Sequence, residues 1–162
     1  MIDSHCHIDF DVFEDDRDVV LQQAINHGVS DLVVPGVLRK HWSKIQTLAA
    51  QHKNIHPCYG LHPCFADQHT ATDLTALEDQ ITSNACIAIG ECGLDYRKHQ
   101  PGKQLQFKYF EAQLEIADRH NLPVVIHSVY ATEDIILSLK KTPHLQGMIH
   151  SYYGSYEQAL QL

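Results

Sequence analysis

Five residues able to bind a divalent cation close short apolar runs in this chain. His5 and His7 form a His-x-His pair in MIDSHCHIDF, Glu91 ends CIAIGE, His127 ends PVVIH and His150 ends GMIH. Imidazole nitrogens and carboxylate oxygens are the ligands of metals that activate water. Hydrolytic metal sites gather such ligands onto one open position. Residues two apart in a strand face the same side, so His5 and His7 can reach one ion together. A carboxylate at the end of a buried run is costly unless it is paired or metal-bound. Its two oxygens can also bridge two ions, which an imidazole cannot do. Taken singly, each histidine is equally well a buried or capping residue, and Glu91 a salt-bridge partner of Arg97 or a lysine. Their shared position at strand ends is what points to metal chemistry.

Further candidates lie near the same ends. His62, in GLHPC, is followed by Pro63, which biases its backbone to an extended or turn form. It is placed to line the pocket and to take a catalytic part by contacting a phosphate or leaving group. Arg97, Lys98 and Lys103 follow GLDY on the next loop and could bind substrate phosphate. A plain turn histidine and a solvated basic loop are the competing readings.

The elements that must position these residues alternate between strand and helix. Strands are expected at about Ile2–His7, DLVVPG, IHPCYGLHP, CIAIGE, PVVIH and QGMIH. Helices are expected over Phe13–His27, Lys40–His52, Asp73–Ser83, Gly102–His120 and Thr132–Lys140, with SYEQALQL opening another. Such alternation implies parallel strands covered by helices. No linker or low-complexity tract divides the chain, so residues 1–162 are expected to form one domain. The first strand ends in HCHIDF, without the glycine-rich phosphate loop of a doubly wound sheet. A (β/α) TIM-type barrel carries functional residues at the C-terminal ends of many strands, the pattern found in this chain. A full barrel has eight units and about 250 residues. About six units are expected in this chain, which therefore reads as C-terminally incomplete.

Composition narrows the surroundings. The formal net charge is -8, against capture of nucleic acid by a broad basic surface. Two bound divalent cations would supply positive charge where a phosphate needs it. The apolar runs are too short to span a bilayer, and the N-terminus lacks a signal-peptide pattern. The five cysteines are odd in number and form no CxxC pair. Reduced thiols and a cytoplasmic location are expected, with no membrane contact and no obligate protein partner.

The segments MIDSHCHID, VVPGV, YGLHPC, AIGECGLDY, PVVIHS and GMIHSYYGS resemble the successive motifs of the TatD-type metal-dependent deoxyribonucleases. These are amidohydrolase-like TIM-barrel metal hydrolases. The resemblance spans essentially the whole chain. It implies a two-metal centre in which His5 and His7 hold one ion, Glu91 bridges, and His127 with His150 holds the other. It also implies DNA as substrate, with phosphodiester bonds hydrolysed from an end. Members of that family usually carry an aspartate ligand at a seventh strand, beyond the residues of this chain. They often have Arg-Asp shortly after the fifth-strand histidine, where this chain has Val129 and Tyr130.

The ligand types suit zinc, manganese or cobalt, and a carboxylate-bridged site can also work with magnesium. Two other functions stay open. One is an amidohydrolase or lactonase acting on C–N or ester bonds, where a carboxylated lysine often takes the bridging place. The other is a truncated, non-catalytic metal-binding remnant. Unfilled barrel positions would leave sheet edges exposed and prone to association.

Overall fold

The computed structural model describes residues 1–162. Six strands form one sheet in sequence order, β1 to β6, with every neighbouring pair parallel. The strands are β1 Ile2–Asp3, β2 Asp31–Pro35, β3 Ile55–Tyr59, β4 Ala88–Asp95, β5 Val124–Val129 and β6 Gly147–His150. Between and after them run α1 Arg17–Asn26, α2 Trp42–Gln51, α3 Ala71–Ser83, α4 Lys103–His120, α5 Thr132–Leu139 and α6 Tyr156–Ala159. The sheet curls into a partial barrel. The rings of His5, just after β1, and His150, at the tip of β6, stack with centroids 3.9 Å apart. The expected (β/α) TIM-type architecture with six βα units is therefore the one observed. No helix is long and apolar enough to cross a membrane.

Helices and strands share one core of 24 buried residues. Trp42, Ile45 and Leu48 recur at helical spacing on α2, and Phe110, Leu114 and Ala117 do so on α4. They meet the strand residues Val34, Ile89 and Ile126. Full burial of one such large side chain contributes about 1.5–3 kcal/mol. Thr70 caps α3 through a reciprocal capping box with Asp73, which starts that helix at Ala71 rather than at Asp73.

Four strand ends differ from expectation in ways that matter for chemistry. The β1 ladder stops at Asp3, so His5 and His7 lie in the loop beyond it rather than inside a strand. A single bond from Cys6 N to Val33 O, 3.1 Å long, keeps this loop against β2. His62 likewise lies beyond β3, leading a 3₁₀ turn over Pro63–Gln68. Conversely, Glu91 does not end its strand. β4 continues to Asp95 with all eight residues buried, and β5 runs two residues past His127.

The register of β4 against β5 shifts between Ile89 and Cys92. Such an irregularity bends a strand and re-aims its side chains, and Glu91 sits at that bend. Gly93 then passes its neighbour at φ +137°, where a Cβ would stand 2.0 Å from the carbonyl oxygen of His127. Only glycine fits this crossing.

Two outcomes are expected. Gly93→Ala should destabilise the chain by about 2 kcal/mol or more, read as a lower denaturation midpoint at unchanged slope. An unchanged midpoint would contradict the close crossing. Second, β1 and β6 are each paired on one side only, and Tyr153, Tyr156 and Leu160 near β6 are exposed. Light scattering should show mass rising with concentration, and a constant monomer mass would contradict this.

Candidate metal centre

The five ligands expected from the sequence converge, and Glu91 is the point of convergence. Its side chain is 1% exposed. Oε2 meets Nε2 of His5 at 3.0 Å and Nε2 of His7 at 3.2 Å. Oε1 meets Nδ1 of His127 at 2.9 Å and Nε2 of His150 at 2.6 Å. The two oxygens thus divide four imidazoles into the pair from the β1 loop and the pair from β5 and β6. A fifth imidazole, His62, reaches Oε1 through Nε2 at 3.2 Å.

The surroundings of the histidines assign their protons. The Nδ1 of His62 accepts the backbone N–H of Cys64 at 3.1 Å. Its Nε2 therefore carries the hydrogen and donates toward Glu91. This makes His62 a donor aimed into the site, with its tautomer fixed by the backbone. His127 is held from behind: its Nε2 lies 3.0 Å from Oδ2 of Asp95, a carboxylate that only accepts. In a neutral His127 the Nδ1 lone pair then faces the site. His7 has a weaker counterpart, with Nδ1 3.9 Å from Oδ1 of Asp9.

The electrostatics call for positive charge. Burial by itself would raise the pKa of Glu91, but hydrogen bonds from His127, His150, His5 and His62 outweigh it and hold the group ionised. Burial likewise opposes the charge on Asp95, yet bonds from Arg97, His127 and Cys64 keep its pKa below the usual carboxylate range. Burial disfavours a charged His127, but Glu91 and Asp95 on its two sides raise its pKa all the same. His62 is lowered, because its burial outweighs the pull of Glu91.

The donor set fits divalent cations. Nδ1 of His127 and Nε2 of His150 stand 3.2 Å apart. Two nitrogens bound at about 2.0–2.1 Å in a tetrahedral arrangement are separated by about that much. The ligand atoms of His5, Glu91 and His150 all lie within 4.8 Å of one another. A second group, His62, Cys64 and His127, is equally compact. Its sulfur is no thiolate, since burial and then Asp95 push the Cys64 thiol up to about 12. Cys64 instead donates to Asp95 at 3.3 Å.

Two buried glutamines on α4 hold the loops that carry these groups. Gln113 Oε1 accepts from Leu61 N at 2.7 Å, and its Nε2 donates to Leu61 O at 3.0 Å, pinning the residue before His62. Gln106 grips Asp95 in the same way, at 2.7 Å to N and 2.8 Å to O. They are two helical turns apart and share one face of α4.

The three basic candidates are placed differently from one another. Arg97 spends Nε and Nη2 on Asp95, which puts it one carboxylate away from His127. Its side chain remains 52% exposed, leaving Nη1 toward solvent. Lys103 sits over the Tyr96 ring at 3.7 Å. Lys98 is exposed and makes no ion pair. Asp95, Asp9, Gln106 and Gln113 were not among the residues expected from the sequence. Only Asp95, at the end of GECGLD, carried a signal: a carboxylate closing a buried run.

Comparisons with known proteins place the whole chain. Residues 2–162 match the family described as TatD related DNase. The uncharacterized metal-dependent hydrolase YjjV of Escherichia coli is 32% identical over 162 residues, covering 98% of this chain and 62% of that protein. The 3′-5′ ssDNA/RNA exonuclease TatD of Escherichia coli is 31% identical over 160 residues, with the same coverage of 98% and 62%. The crystal structure of YjjV superposes with a TM-score of 0.93, covering 99% of this chain and 63% of that one. A phosphotriesterase homology protein from Escherichia coli, at 14% identity and TM-score 0.61, shares the fold. The chain thus spans somewhat under two thirds of the length of the relatives it matches. With a family match over residues 2–162 and a barrel that superposes on that of YjjV, the chain belongs to the TatD-related DNase family.

Proposed function

We propose that this chain forms the centre of a metal-dependent nuclease that hydrolyses phosphodiester bonds at the ends of DNA strands, using two divalent cations. His5 and His7 would hold one cation, His127 and His150 the other, and Glu91 would bridge them. The observation that carries this reading is the division of the Glu91 oxygens, Oε2 to the first histidine pair and Oε1 to the second. When bound, the cations would lower the pKa of a water and neutralise a phosphate oxygen. Zinc, manganese or cobalt suits the nitrogen-rich set. TatD of Escherichia coli, described as a 3′-5′ ssDNA/RNA exonuclease, supports the substrate class. No lysine reaches the cluster to take the bridging place expected of an amidohydrolase.

The residues of the chain supply the rest. Asp95 keeps the Nε2 proton on His127 and so holds Nδ1 toward the site. His62 offers an N–H that can pass from Glu91 to a phosphate or leaving-group oxygen. Arg97 screens the charge of Asp95 and leaves Nη1 free for a phosphate at the rim.

Glu91→Gln should lower cation occupancy by elemental analysis and cut hydrolysis of end-labelled single-stranded DNA by at least about 100-fold. His62→Ala should retain its cations and lose less activity. Equal losses in the two variants would contradict a bridging glutamate. Asp95→Asn keeps the shape but lets the amide donate, which permits the wrong His127 tautomer. Cation affinity by calorimetry should fall about 10- to 100-fold. Unchanged affinity would mean that Asp95 does not set the His127 tautomer.

A further inference from the structure

A cavity of about 330 Å³ opens beside the metal centre. It lies between the loop after β1, the start of α2 and the 3₁₀ turn after β3. Two aromatic residues line it, and each leans on an imidazole of the centre. The Phe10 ring stacks on His7 with centroids 4.6 Å apart and planes 14° apart. The Phe65 ring lies 6.0 Å from that of His62. The cavity is therefore one aromatic ring away from the atoms that would hold a phosphate.

Its polar groups are few and unusual. Asp9 lines it, is 2% exposed, and has an Oδ1 without a hydrogen-bond partner. The nearest candidate, Nδ1 of His7, is 3.9 Å away, beyond hydrogen-bond reach. His41 also lines the cavity and leaves its Nδ1 unpartnered. A buried polar atom without a partner is costly and calls for a ligand or water. Lys44, the one lysine on the wall, is spent on Asp11 and Glu14 at 2.7 Å each. The cavity thus offers aromatic faces and a carboxylate acceptor, and no free cation. A phosphate would be repelled, whereas a flat ring bearing an amino group would be held on its faces and at its edge.

We propose that this cavity is a nucleobase subsite, taking the base of the nucleotide whose phosphate lies on the metal centre. The inference rests on the nuclease reading and adds where the base goes and which bases are favoured. Single-stranded nucleic acid is recognised by stacking on aromatic side chains and by hydrogen bonds to exposed base edges. A carboxylate accepts from an exocyclic amine, as in recognition of cytosine. Asp9 therefore favours adenine, cytosine and guanine over thymine.

The test is equilibrium binding to the chain loaded with manganese, using the 5′-monophosphate of 2-aminopurine deoxyriboside. Fluorescence reads stacking directly, and deoxyribose 5-phosphate serves as the ligand without a base. The nucleotide should bind with quenching and at least about 10-fold more tightly than deoxyribose 5-phosphate. The monophosphates of deoxyadenosine and deoxycytidine should bind about 10-fold more tightly than that of thymidine. Phe65→Leu keeps the apolar bulk and should abolish most of the advantage of the base. It should leave deoxyribose 5-phosphate binding unchanged, and Phe65→Trp should restore the quenching. Equal binding of the nucleotide and deoxyribose 5-phosphate, without quenching, would overturn the subsite while leaving the metal-centred reading intact. Failure of both ligands to bind the manganese-loaded chain would overturn both.

Discussion

A carboxylate removed from water and ringed by imidazoles is the constraint on which the rest of this structure depends. Glu91 is all but inaccessible and meets five histidine nitrogens. An ionised group in such a place costs several kcal/mol unless compensated. A whole domain is stable by only about 5–15 kcal/mol. The compensation in this structure is the ring of imidazole hydrogen bonds, which holds the carboxylate ionised against its burial. An ion that bound only the folded chain at this residue would stabilise the fold by mass action.

Behind the imidazoles stands a second set of groups that decides how they present themselves. Asp95 takes the far nitrogen of His127, and the Cys64 amide occupies that of His62. Orientation of this kind separates ligands from donors among chemically identical side chains. Its rigidity comes from α4, where Gln106 and Gln113 bind the backbone of Asp95 and Leu61 on both N–H and C=O. A helix on the outside of the barrel thereby sets the position of groups at its mouth.

The curled parallel sheet does the gathering. His5 follows the first strand and His150 ends the last, yet their rings stack because the curled sheet brings these two ends together. The bend of β4 at Ile89–Cys92 turns Glu91 inward, and Gly93 lets β5 come close enough to place His127 against it. A barrel mouth built from loops then leaves room for an aromatic-walled cavity against the metal site.

The alternation of apolar runs and amphipathic segments was enough to name the parallel barrel, because buried parallel strands and their covering helices differ locally in period and length. The convergence of four histidines on Glu91 was legible as well, since histidines and a glutamate closing apolar runs are costly unless they meet one another or a cation. Strand ends were read less well. CIAIGE was expected to end at Glu91, and Gly90 and Gly93 lie on either side of that residue. In the fold they are residues that permit close strand crossing, and β4 runs on to Asp95. The oxygen that each histidine faces, the tautomers of His62 and His127 and the grip of Gln113 on a residue 52 positions away were decided only by tertiary structure. Those facts depend on contacts between residues distant in the chain, which leave no local pattern of spacing or composition to read.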